Sequence, residues 1–430
     1  MTYDTAAPAQ APGGSRPSGA RFGLPSLVWA LAAGQFVSRA GGVPQSFLVL
    51  FLTQERQLSP ATAGAVVATV GAGTAVSLLL GGWLSDRIGR RHTMLAGFFG
   101  TAVALVALGS ADTTAAIWTA AVGVGLMAEL SRPAGSATIA DLPDPRDRIR
   151  AYGLLFWASN LGFSVASVTA GILAEHGYGI LFRINAAAAV VAALIAWRRV
   201  PETRPPITQA SRRSLLPVLL RDRLMMTMVG IYVVYFALFL QAFSTLPLMM
   251  AADGDGPKTF GLVLALNGAA IVVLQPLAVR LFVDRDRSAL LATSMLLVGL
   301  GGGLGAVVGG TAAYTGSVLI WTLGEIGVAV MFGATFADLA PADLRGGYMG
   351  VAATTWSLGG VLGPLVGTAL LDYAGRPALA AASVTTGMAL FAIQRAVAPA
   401  LRCRAGGPDA RARGVPCGEP DPAQQSLVGA

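Results

Sequence analysis

The chain has 430 residues, 54 % of them hydrophobic and only 12 % charged, against about 25 % charged in a soluble domain. So few charges cannot cover a chain this long with a solvated surface, so lipid must meet it and a water-soluble protein is excluded. The net charge is +8, but the arginines stand between apolar runs. They do not form a basic face with interleaved aromatics, which argues against nucleic acid as a partner and makes them topology signals.

Residues 1–20 are rich in Ala, Pro, Gly and Ser and hold no continuous apolar stretch. They read as a disordered tail, not a cleaved signal peptide. A spanning helix needs about 20 mostly apolar residues. By that measure the sequence predicts twelve spans, at 27–52, 60–84, 93–111, 115–140, 151–174, 179–197, 224–250, 259–282, 289–309, 316–339, 348–371 and 377–397. Glycine and proline within them are tolerated in lipid, where neighbouring helices re-satisfy the backbone.

Charge alternates between the connections. One set carries Arg87, Arg90 and Arg91, then Arg146, Arg148 and Arg150, then Arg285 and Arg287, then Arg345; the other carries mainly acids, among them Glu55, Asp112, Glu175, Asp253 and Asp372. The positive-inside rule makes the first set cytoplasmic and predicts that both termini lie inside. Residues 198–223, with seven arginines and with Pro201, Pro205 and Pro206 among their prolines, read as a cytoplasmic linker. It separates a six-helix bundle at 21–197 from a second at 224–397, and 398–430 form a cytoplasmic tail.

The halves resemble each other. "SATIADLP" at 136–143 parallels "GATFADLA" at 333–340, an offset of about 197 residues. A parallel repeat of six helices is the internal symmetry of one large class of transporters. Lys258 is the single lysine, and abundant Ala and Gly point to a GC-rich bacterial source. Cys403 and Cys417, both in the tail, make no disulfide framework and no metal site.

Residues 82–91 read Gly-Trp-Leu-Ser-Asp-Arg-Ile-Gly-Arg-Arg. Gly82 permits close helix approach and Gly89 a tight turn. Asp86 places an anion where it can face a helix N-terminus. Arg90 or Arg91 can pair with Asp141 at the end of span four. This G-x-x-x-D-R-x-G-R-R turn, with Arg87 as its first arginine, resembles motif A of the major facilitator superfamily. With the twelve spans, the central loop and the repeat, the resemblance covers roughly residues 21–400. It implies an all-α fold of two pseudo-symmetric six-helix bundles, and a motif that locks the cytoplasmic side against span eleven, near Gly346–Tyr348, in the outward-facing state. The second half carries a worn counterpart at Asp284–Arg285, with Arg280 in place of the glycine at 82.

Arg39, Glu129, Arg132 and Glu325 fall inside predicted spans. Each costs about 2.5–3.5 kcal/mol at a helix centre on insertion scales, so each should face a partner or a watery cavity. Glu129 and Arg132 are three apart and meet on one helix. Glu129 and Glu325 differ by 196 residues, which makes them pseudo-equivalent. One reading is a proton-carrying carboxylate, Glu129 or Glu325, working against a cavity cation, Arg39 or Arg132; the other is a structural ion pair holding spans one and four together. Glu325 has no arginine on its own helix and is the more expected carrier. Gln35, Gln45, Asn160, Gln241 and Asn267 are candidate cavity residues. Aromatics such as Trp157, Phe163, Tyr232, Tyr235, Phe236 and Phe239 either form an apolar pocket or pack.

The pattern looks like the drug:proton antiporters of this superfamily, supported by the span-one arginine, "FLVLFL" at 47–52 and "RPA" at 132–134. Span five departs: "NLGFSVASVTAG" at 160–171 has no proline, and the spacing after Arg132 is shorter by one. The resemblance implies a bacterial inner-membrane exporter of a small hydrophobic compound, with lipid around it, the proton gradient as energy source, no cofactor, and no need for more than a monomer. A proton-coupled uptake symporter of a small metabolite is the alternative, because the fold serves both directions. A membrane enzyme or sensor is the remote one. No span interior contains His, and no nucleophile–base set accompanies the acids, so an enzyme is not expected.

Overall fold

The computed structural model describes residues 24–42, 45–140, 145–202, 215–282, 285–341 and 344–412. The expected N-terminal tail, the middle of the linker, Asp141, Asp284 and most of the C-terminal tail lie outside them. The described residues form helices and no strand, as the bilayer requires of a chain that must satisfy every backbone group within itself.

In the first half, α1 (Ser26–Ala40) and α2 (Gln45–Leu50) are followed by a π-helical turn, Phe51–Glu55. Then come α3 (Pro60–Ile88), α4 (Arg90–Gly109), α5 (Thr114–Ala128), α6 (Ser131–Ala140), α7 (Pro145–Ala174) and α8 (Gly179–Arg199). A short α9 (Leu215–Arg221) leads to the second half, made of α10 (Arg223–Ala252), α11 (Pro257–Phe282), α12 (Arg287–Val307), α13 (Thr311–Leu339) and α14 (Arg345–Ala412). Side-chain caps start several of them. Ser59 accepts from the Thr62 N–H, Thr113 from Ala116, and Asp222 from Met225, each satisfying one orphan donor.

Among the described residues, ten helical stretches are long and apolar enough to cross a membrane, with α5 and the start of α6 counted as one, so the chain is a multi-pass membrane protein. The difference from the twelve predicted spans has two physical causes. Span one is broken: α1 stops at Ala40, before Gly41-Gly42-Val43-Pro44, and α2 resumes at Gln45. Proline and paired glycines there disfavour continuous helix. Spans eleven and twelve run together as α14, 68 residues long. That element folds back on itself. Tyr348 near its start and Arg404 near its end both donate to Asp222 Oδ2, at 2.9 and 2.6 Å, whereas a straight helix would put them roughly 84 Å apart at 1.5 Å per residue. The reversal falls at Gly375, whose φ of +78° suits glycine.

Span four is broken as well, between α5 and α6 at Glu129–Leu130. Pro133 is the cause: it has no N–H to give the Glu129 carbonyl one turn back. Cys403 is disulfide-bonded.

The two halves meet along α3 against α14 and α7 against α11. Backbones come close there. A Cβ on Gly71 would stand 2.7 Å from the Gly360 carbonyl oxygen, and one on Gly261 would stand 2.4 Å from that of Ser167. Gly64 meets Thr368, and Gly171 meets Pro257 in the same way. All these contacts lie towards the end remote from the 82–91 turn. Towards the motif end of the same helices, Gly82, Gly153 and Gly350 have nothing within 4 Å of a would-be Cβ among the described residues, and Trp157 and Trp356 are about half exposed. Among the described residues, the halves are sealed at one end and apart at the other.

The sealed end carries its own polar network. Arg376 and the Tyr314 hydroxyl both donate to Asp253, at 2.8 and 2.5 Å. These bonds hold the Asp253 carboxyl below the usual carboxylate range. Asp372 accepts from the Ala61 N–H at 3.2 Å, across the two halves.

Candidate functional site

The two helix breaks place the intramembrane charges. Arg39 is the next-to-last residue of α1, Glu129 is the residue on which α5 ends, and Arg132 lies in the first turn of α6. Each Glu129 oxygen faces one arginine: Oε1 is 3.1 Å from Arg39 and Oε2 is 3.5 Å from Arg132. The carboxylate side chain is 18 % exposed, the guanidinium side chains 41 % and 58 %. The acid is thus behind and the cations in front. The backbone of α7 closes on this point, where a Cβ on Gly162 would stand 2.8 Å from that of Arg39.

In front of the arginines lies a cavity of about 380 Å³ inside the first half, walled by α1, α4, α6, α7 and α8. Gln35, Arg39, Arg132, Ser136 and Ser159 supply polar groups, and Leu31, Met94, Phe98 and Phe156 are among the apolar ones. Gln35 donates to Ser159 at 3.4 Å across α1 and α7. Of the predicted cavity residues, Asn160 bonds its own helix at the Phe156 carbonyl. Gln45 opens α2, and its side chain lies outside the description.

Glu325 belongs to a separate set in the second half. It sits inside the unbroken α13 and accepts from Asn267 of α11 at 2.8 Å; Asn267 also donates to Thr322 at 2.9 Å. The pseudo-equivalence with Glu129 therefore holds in sequence position, but not in surroundings: one acid lies at a helix break between two arginines, the other within a helix beside an amide. Gln241 donates to Ser383 at 3.0 Å, buried between α10 and α14. Tyr232, Tyr235, Phe236 and Phe239 are buried and stack in one chain of rings with Phe332 and Trp356. They pack and do not line the cavity; Trp157 is the exposed member of the predicted set.

At the motif, Gly89 has φ +93° and makes the turn between α3 and α4. Gly82 is not a contact point here: its neighbour Gly81 makes the close approach, to the Leu130 carbonyl. Arg87 lies over the Trp83 ring at 4.5 Å, a cation–π contact. Arg90 is buried and Arg91 half-buried; the Asp86 side chain and Asp141 lie outside the described residues. The second half shows the pairing expected of the first. Arg287 at the start of α12 bonds Asp338 near the end of α13, and these stand 197 residues after Arg90 and Asp141.

Sequence reasoning missed Glu202. Its carboxylate accepts from the His92 backbone N–H at 3.2 Å, and Oε2 lies 2.5 Å from His92 Nδ1. It caps α4 and ties the linker to the motif turn, an arrangement that suits a helix N-terminus. The signal was there: Glu202 is an acid three residues past the end of α8 in an arginine-rich stretch.

Comparison with known proteins fits this geometry. The model of the Major Facilitator Superfamily matches residues 31–364 and 242–411. The uncharacterized MFS-type transporter YqjV of Bacillus subtilis (strain 168) is 26 % identical over 387 residues, which is 85 % of this chain and 92 % of that one. The multidrug resistance protein MdtH of Salmonella arizonae is 24 % identical over 309 residues, 68 % of this chain and 73 % of its own. Among solved structures, the peptide transporter POT in complex with sulfate shares the fold with a TM-score of 0.74, at 17 % identity, over 90 % of this chain and 97 % of that one. The chain is a transporter and not an enzyme, and it belongs to the Major Facilitator Superfamily.

Proposed function

We propose that the protein exports a small hydrophobic compound across the bacterial inner membrane, driven by inward proton flow and by alternating access. The observation that carries this reading is the packing of the halves, sealed at one end and apart at the motif end among the described residues, with an intramembrane acid held inside each half. The arginine-rich motif end is the cytoplasmic one under the positive-inside rule, so this is the inward-open state and both termini lie inside. Glu325 carries the proton, its carboxylate accepting from Asn267, while Glu129 is engaged by its two arginines. The name of MdtH supports export. The solved peptide transporter supports the fold and leaves the direction to experiment. No cofactor is needed, and the working unit is a monomer in lipid.

The test is proton flux in everted vesicles, with a compound panel added after a pH gradient is set. Dissipation that requires both the protein and a particular compound supports proton-coupled export. No dissipation across the panel, with metabolite accumulation in intact cells instead, supports the uptake symporter.

A further inference from the structure

The cavity of the first half has an unusual charge balance. Among the described residues, its charged lining is cationic, Arg39 and Arg132. Glu129 does not line it, and its two oxygens are each already engaged by one guanidinium. Glu325 lies in the other half, bonded to Asn267. The triad thus carries one positive charge in excess, and the guanidinium groups, 41 % and 58 % exposed as side chains, still hold unused donors. An unbalanced charge within the membrane is costly unless a counter-charge or water meets it.

The remaining walls define the rest of the ligand. Leu31, Met94, Phe98, Leu155 and Phe156 are apolar, and Gln35 and Ser159 add neutral polar groups. Among the described residues, a cation would meet two arginines and no carboxylate in the lining. A neutral compound would leave the excess charge unbalanced. An anion satisfies both conditions, and the guanidinium fork matches a carboxylate in shape as well as charge.

We propose that this cavity takes a small amphipathic carboxylate, its head between Arg39 and Arg132 and its apolar body against the Met94–Phe98 and Leu155–Phe156 walls. The proposal rests on the export reading for what happens next, and narrows its substrate class from hydrophobic compounds to hydrophobic monoanions.

The test is calorimetric titration of the full-length purified protein in detergent at pH 7, with 4-phenylbutyrate, 4-phenylbutanamide and 4-phenylbutylamine. These share one body and differ in head charge. The expected result is that the carboxylate binds about ten-fold or more tightly than the amide, with the amine not binding. Arg132→Gln, which keeps the Arg39–Glu129 pair, removes that preference, and Arg132→Lys restores part of it. Equal binding of all three, preference for the amine, no carboxylate binding, or an unchanged preference in Arg132→Gln overturns the proposal. A repeat in nanodiscs distinguishes a lipid source: abolition of carboxylate binding by phosphatidylglycerol, but not by phosphatidylcholine, assigns the site to a lipid headgroup and also overturns it. Titration needs no gradient, so carboxylate binding without proton-driven export fails only the export reading. Export of neutral compounds without carboxylate preference fails only this one.

Discussion

At the scale of single residues, the two intramembrane acids have different work. Glu129 is held by two arginines, and removing its charge leaves both cations facing a neutral amide. Glu129→Gln is therefore expected to lower thermal stability, because breaking a buried pair strands the partner. Glu325→Gln keeps an acceptor for Asn267, so it inserts and melts like the parent but loses transport driven by a pH gradient. Full gradient-driven transport by both variants in proteoliposomes would remove both acids from proton coupling. Outside the membrane, Asp253 gives a pH signature. Its bonds to Arg376 and Tyr314 favour the ionised form and lower its pKa, so its contribution to stability is fully present above its ordinary value of 3.8 and fades as pH falls through the lower folded value. The gap in melting temperature between the parent and Asp253→Asn should be constant from neutral pH down to about 5 and shrink below 4; a gap that widens in acid would contradict the assignment. These charges were legible as sequence oddities, since acids and arginines inside apolar runs are costly. An ion pair between spans one and four was one of the two readings the sequence allowed, and the Arg39–Glu129 bond across 90 residues realises it; that Arg132 would take the second Glu129 oxygen from beyond a helix break was not readable, because it depends on packing.

At the scale of the element, the sequence shows where helices are apolar more readily than where they break or turn. Gly41, Gly42, Pro44 and Pro133 were all visible, yet apolarity alone reads through them. The breaks matter because they set the site: Arg39, Glu129 and Arg132 all stand at or beside a helix end. Gly375 has the opposite effect, turning one long helical element back on itself. A reagent-accessible cysteine at Tyr373, which is 82 % exposed, should label only from the side opposite the termini if α14 crosses twice; labelling from the same side would reject the twelve-span topology. The close pair Gly71–Gly360 predicts a second effect. Gly71→Ala puts a Cβ within 2.7 Å of a carbonyl oxygen, an overpacking that typically costs about 1–3 kcal/mol. It should loosen the sealed end and raise cysteine labelling at Thr368; unchanged labelling would mean the backbone relaxes without opening.

At the scale of the whole molecule, the two-half plan was readable from the Ala-Asp-Leu repeat, and the structure extends it. Arg287–Asp338 stands at the repeat offset from Arg90 and Asp141, so the sequence repeats the arginine and the acid that pair in the second half. Which face each half turns to the other was not readable, since helix rotation depends on packing that alternating Ala and Gly leave open. A transporter of this plan works only if the seal moves from one end to the other. The most direct measurement is cross-linking in vesicles, with Cys403 and Cys417 replaced by serine. One cysteine pair is Ala61→Cys with Asp372→Cys at the sealed end, and the other is Gly82→Cys with Gly350→Cys at the motif end. At rest the first pair should cross-link quickly and the second should not; under a pH gradient with substrate, the second should gain as the first declines. A motif-end pair that never cross-links, or two pairs that cross-link together, would contradict alternating access.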